Sequence, residues 1–198
     1  MRTALGLRAH SGWAALVALG ETRGAPEVIL RERLALVREE DAHWAGQPYH
    51  AAEGLLPEDA RDVVARGIAS ARALAAQEVR AAKERVTALG HEVAACAVLV
   101  GDGMPDWSVD EILRVHFRMH KAEGELFRDA LSRASGACGL RLVAIPEKRL
   151  DAYSQECLSA PAEQLAKRIA ELGRAAGPPW GKDQKQAALA AWAALHTS

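Results

Sequence analysis

The opening third of the chain alternates short apolar runs with turn signals. Thr3 to Ala9 (TALGLRA) reads as a strand, Ser11-Gly12 as a turn, and Trp13 to Leu19 (WAALVAL) as a second strand. Gly20 to Pro26 supplies another turn, and Val28 to Val37 alternates apolar and charged positions as a half-exposed strand does. Three antiparallel strands are therefore expected first, followed by an irregular polar connection from Glu39 to Glu53. A helix is predicted from Pro57 to Gly90, with proline in its first turn, glycine just past its end and Gly67 as a bending point. Glu92 to Val100 (EVAACAVLV) is almost wholly apolar, the pattern of a central strand covered on both faces. Ser108-Val109-Asp110-Glu111 is a capping box, which places the start of a long helix there, running to about Gly136. Leu140 to Ile145 reads as a buried strand stopped by Pro146. Helices follow over Ala162 to Leu172 and Gln184 to Leu195, separated by Gly177-Pro178-Pro179-Trp180. With no repeat and no dividing linker, residues 1–198 read as a single α/β domain around one mixed central sheet.

Composition narrows the function classes. At 198 residues, 49% hydrophobic and 26% charged, the chain is globular and long enough to bury a core. A formal charge of -1 argues against a broad nucleic-acid surface but leaves room for a local basic patch. Cys96, Cys138 and Cys157 are too far apart for a CxxC metal site and odd in number, which fits a reducing cytoplasm. The segment from Arg2 to Leu19 imitates a signal peptide, but its apolar stretch is short and interrupted, so export is not expected. No run approaches the roughly 18 apolar residues of a membrane span. The tryptophans at 13, 44, 107, 180 and 192 either wall a cleft or pack in the interior.

Candidate chemistry concentrates on the helix predicted to start at Ser108. At about 100° per residue, His116, His120 and Glu123 fall within roughly 60° of arc, on the side of Ile112, Leu113, Met119, Phe127, Ala130 and Leu131. Glu111, Arg114, Arg118, Lys121, Glu125 and Asp129 gather opposite. Three readings stay open. His116, His120 and Glu123 can ligate one transition metal; His120 and Glu123 can serve as acid–base catalysts; or the set can be a structural polar network. Arg8 and the amides near Gly12 offer a hold on phosphate or carboxylate. The start of the last helix, with Lys182 and Lys185, is a natural anion site, unless it is an ordinary solvated start capped by Asp183. Gln47-Pro48-Tyr49-His50 lies in the polar connection, where His50 either joins the other histidines or stands alone. No GxSxG nucleophile motif and no GxxxxGK phosphate loop is present.

Three short pieces occur in an order that resembles the ribonuclease H-like fold, and within it the RuvC-type Holliday-junction resolvases. Gly6-Leu7-Arg8-Ala9-His10-Ser11-Gly12-Trp13-Ala14 stands where those proteins carry Gly-apolar-Asp-Pro-Gly and, after a short turn, Gly-aromatic. Lys121-Ala122-Glu123-Gly124 resembles their Gln-Ala-Arg-Gly, and Asp183 to Ala190 (DQKQAALA) resembles their terminal-helix run. The resemblance implies two divalent metals held by carboxylates from the first strand, the fourth strand and the last helix. Here the first position is Arg8, and Ala94 to Val100 holds no acid, with Asp102 only an approximate substitute. Asp183 remains, but the second acidic position of the last helix is Gln186. A cation at the central position repels metals and attracts anions, so conventional two-metal nuclease activity is not expected. The resemblance also implies that Arg8 can pair with Asp183 or Glu123. The leading expectation is a divergent member binding nucleic acid or a phosphate-bearing ligand at the strand-end cleft. Arg8, His10 and Lys185 would be ligand-binding residues, with His120, Glu123 and Asp183 as catalytic candidates. A transition-metal-dependent hydrolase using His116, His120 and Glu123, with a divalent metal ion as cofactor, is the first alternative. A non-catalytic interaction or scaffold protein is the second, and a homodimer is compatible with each.

Overall fold

The computed structural model describes residues 1–197. Strands β1 (Arg2–His10), β2 (Trp13–Thr22), β3 (Ala25–Ala35), β4 (Glu92–Val100) and β5 (Arg141–Pro146) form one sheet in the order β3-β2-β1-β4-β5. The pairings β1–β2 and β2–β3 are antiparallel, whereas β1–β4 and β4–β5 are parallel. The predicted turn at Gly20–Pro26 is tighter than expected, because pairing continues to Thr22↔Ala25. Arg23 and Gly24 alone turn the chain, with φ of 52° and 79°. Positive φ at both central positions matches the right-handed twist of the flanking strands, which is why so short a loop suffices.

Helices cover both faces. α3 (Pro57–Ala88) and α5 (His116–Ala137) pack over Leu5, Leu7, Cys96 and Val98. α6 (Leu150–Leu158), α7 (Ala162–Ala176) and α8 (Lys182–His196) pack over Ala4, Ala95, Ala97 and Leu99. The alanines of α8 bring its backbone down onto β1. A Cβ on Gly6 would stand 1.9 Å from the Ala187 carbonyl oxygen, so only glycine permits this approach.

Several local expectations need correction. The helix predicted from Ser108 to Gly136 is two helices, α4 (Val109–Leu113) and α5, separated where Val115 is extended at φ −137° and ψ 109°. The capping box is real: Ser108 Oγ accepts from the Glu111 N–H and the Glu111 carboxylate accepts from the Ser108 N–H. It caps α4 only. Ile112 and Leu113 therefore lie on a different axis from the histidines. α3 is continuous, and Gly67 makes room for Pro48, whose Cβ would lie 2.6 Å from an added Cβ. The polar connection contains α1 (Ala42–Ala45) and α2 (Pro48–Ala51). The periodicity also missed α6, which fully buries only Leu150 and Ser154 and so shows no apolar stripe.

Candidate functional site

The parallel strands β1, β4 and β5 end on one edge of the sheet, where α8 begins. Alternation along β1 turns Ala4 and Gly6 toward α8, and Arg8 continues that face. Arg8 Nη1 donates to Asp183 Oδ1 in the first turn of α8, and Nη2 donates to Glu147 Oε1 at 2.8 Å, just past β5. The Arg8 side chain is 12% exposed, and its two partners are half-buried. Arg128 Nη2 stands 3.7 Å from the other Glu147 oxygen. Burial alone would raise the Glu147 pKa. The Arg8 hydrogen bond and the charges of Arg8, Arg128 and Lys182 outweigh it and hold the carboxyl below its usual range. His10 Nε2 lies 2.9 Å from Arg8 Nη1 and 3.1 Å from Asp183 Oδ1. Its ring stacks on Trp13 at 4.2 Å, and the Arg33 guanidinium sits 4.1 Å from the Trp13 ring.

Beside this ion-pair node opens a cleft of about 790 Å³, walled by Val100 at the end of β4 and Gly101 just past it, by α5, and by Lys182 and Gln186 of α8. Phe117, Lys121 and Arg128 face it from α5, and Phe117 is 71% exposed. At its rim Lys148 Nζ contacts Asp102 at 2.5 Å; that hydrogen bond, then the Lys148 charge, holds the Asp102 carboxyl below its ordinary range. Lys121 and Lys182 form no ion pair among the described residues. Arg8 Nε and Gln186 Oε1 are buried without a hydrogen-bond partner. A smaller cavity of about 230 Å³ is lined by Arg8, His10, Ser11 and Glu123 and shares Arg128 and Glu147 with the cleft.

A second polar cluster lies where α2 meets α5. Glu123 is 3% exposed. Its Oε2 accepts from His50 Nδ1 at 2.8 Å, and its Oε1 accepts from the His50 backbone N–H at 3.1 Å. Burial, then the Glu123 charge, pushes the neighbouring Tyr49 hydroxyl above its ordinary value, against a smaller opposing pull from Arg72. His116 and His120, one turn apart on α5, bring their Nε2 atoms within 3.0 Å. Their rings surround that of His50, with centroids 5.2 and 4.7 Å away.

No protein-family profile and no curated protein matches the chain. Among solved structures, Thermus thermophilus RuvC in complex with Holliday junction substrate is similar at a TM-score of 0.54 and 12% identity. That match covers 99% of this chain and 94% of the other. The fold is RuvC-like, of the ribonuclease H type. A further T. thermophilus RuvC structure matches at a TM-score of 0.50 and 11% identity, covering 98% of this chain and 93% of that one. No helix among the described residues is long and apolar enough to cross a membrane.

On this RuvC-like frame the anticipated residues separate into two groups. Arg8, His10 and Asp183 come together, and two Arg8 nitrogens are taken by carboxylates, Nη1 by Asp183 and Nη2 by Glu147. Lys185 is exposed outside the cleft, where Lys182, three residues earlier, takes the expected place. His116 and His120 are exposed, contrary to their expected place on a buried stripe: the break at Val115 puts them in the first turns of α5, whereas Met119, Glu123, Phe127 and Leu131 of the same helix are buried. Glu123 is buried as expected, but it holds His50, and His50 takes the place beside the two α5 histidines. Sequence reasoning passed over Phe117, whose signal was available: it is an aromatic on the polar side of an amphipathic helix. Glu147, an acid directly following a strand, was a weaker signal of the same kind. No local spacing could tie His50 to α5.

Proposed function

We propose that the protein binds nucleic acid along the strand-end cleft and does so without two-metal cleavage chemistry. The observation that carries this reading is the Arg8 guanidinium lodged between Asp183 and Glu147. A metal pair needs several anionic oxygens converging on one point. Here two of the half-buried carboxylates at the strand ends are engaged by the Arg8 guanidinium, with Arg128 beside one of them, Asp102 is paired with Lys148, and position 186 is an amide. These residues do not suit a pair of divalent ions. A cation at this position weakens the negative field that would repel phosphates. Lys121 and Lys182 are then left to meet a backbone, with Phe117 exposed between solvent and cleft as a platform on which a base can stack. The likeness to a RuvC structure holding a Holliday junction supports nucleic acid as the ligand class.

Fluorescence anisotropy with labelled four-way junction, duplex and single-stranded DNA, in chelator and at stepped salt, tests the reading. Binding should persist in chelator and weaken linearly in log salt. Lys121→Ala and Lys182→Ala should each lower that slope by about 1. Phe117→Ala should cost about 1–3 kcal/mol on single strands. Absence of binding to all three probes, or an unchanged slope in the Lys121→Ala/Lys182→Ala double variant, would refute it, as would magnesium-dependent cleavage.

A further inference from the structure

We propose that His50, His116 and His120 form a binding site for one borderline transition-metal ion of the Zn²⁺ class, with Glu123 as a positioning residue behind His50. One ring nitrogen from each histidine lies within 4.8 Å of the other two. The His116 and His120 Nε2 atoms are 3.0 Å apart. Two ligand nitrogens on a tetrahedral ion at about 2.0–2.1 Å sit about 3.3 Å from each other. The α5 pair therefore already spans one edge of such a polyhedron, and His50 brings a third ring nitrogen to it from α2.

The surroundings favour a metal over a shared proton alone. A carboxylate accepts, so the hydrogen on His50 Nδ1 points at Glu123 and the Nε2 lone pair is left free. A buried carboxylate that fixes the tautomer of a ligating imidazole is the recurrent outer partner of metal-bound histidine. Glu123 also accepts from the His50 backbone N–H, so the α2 backbone and the ring are held together. An all-imidazole set suits zinc, cobalt, nickel or copper and suits magnesium or calcium poorly. His116 and His120 are exposed, which leaves a coordination position open to solvent. His120 also lines the cleft, so the site adjoins the surface proposed for nucleic acid.

Isothermal titration of the metal-stripped full chain with Zn²⁺, paralleled by Co²⁺ visible absorption, decides the matter. One ion should bind per chain. His116→Ala and His120→Ala alter exposed side chains, so folding is preserved, and each should weaken binding by more than 10–100-fold, the loss expected for an outer partner. Glu123→Gln should weaken binding by about 10–100-fold while keeping one ion per chain. Failure to bind one ion per chain, or binding unaltered in both His116→Ala and His120→Ala, overturns the site whether or not Glu123→Gln folds. Anisotropy in chelator reports nucleic-acid binding separately, so either proposal can fail alone.

Discussion

Replacing Arg8 by methionine keeps most of the side-chain volume and removes the guanidinium. Two charge-assisted hydrogen bonds disappear, each worth a net ~1.5–3 kcal/mol. Asp183 and Glu147 keep about a quarter of their side-chain surface in water, at 25% and 28%. That places each bond at the low end, and the total at about 3 kcal/mol. For a chain of this length such a loss lowers Tm by about 6–12 °C. The pH dependence gives a sharper check. Glu147 is held below its usual range in the folded state, so its stabilising contribution is complete above the unfolded carboxyl value of about 4.3 and fades as pH falls through the folded value. The gap between the parent and Arg8→Met should therefore be widest near neutrality and narrow below about pH 4. Urea unfolding at about pH 7 and about pH 3.5 measures both quantities. Arg8→Lys, a point charge that cannot fork to both acids, should recover about half of the loss. A Tm change under about 2 °C, or an equal gap at the two pH values, would show that the ion-pair node does not stabilise the fold.

Two further outcomes concern the layers around the site. Gly6→Ala drives a methyl into the Ala187 backbone at 1.9 Å and should cost about 3 kcal/mol or more, whereas Gly136→Ala, with nothing within 4 Å, should gain up to about 1 kcal/mol in thermal or urea unfolding. Burial pushes the Cys96 thiol up to about 12, so mass spectrometry after brief maleimide exposure should find adducts on the half-exposed Cys138 and Cys157 and none on Cys96.

The sheet was legible because its strands carry the signals that physics makes loudest. WAALVAL and EVAACAVLV are apolar enough to need cover on both faces, and both are central strands. The turn at Arg23-Gly24 was placed, though the strands were drawn too short. What escaped was decided by contacts distant in sequence. The heptapeptide Asp110–His116 has good helical periodicity, yet the chain breaks at Val115, so helical phase could not be carried from Ile112 to His116. Arg8 was visible in the sequence as the departure at the strand end. Its service to two acids at once depended on Glu147, which no periodicity marks. The meeting of His50 with α5 follows from Pro48 seating against Gly67, a steric fit visible only in three dimensions.

The link between Arg8 and Asp183 joins positions 175 residues apart. Forming it encloses almost the whole polypeptide, and closure of so large a loop is entropically affordable only after intervening structure has already drawn the two ends near. The contact therefore belongs to the late, downhill side of folding. Its energy is felt on escape from the native basin, so in a chevron plot Arg8→Met should steepen the rate of opening and leave the refolding limb almost where it was. The salt-bridged strand end thus acts as a latch that sets how long the native protein persists.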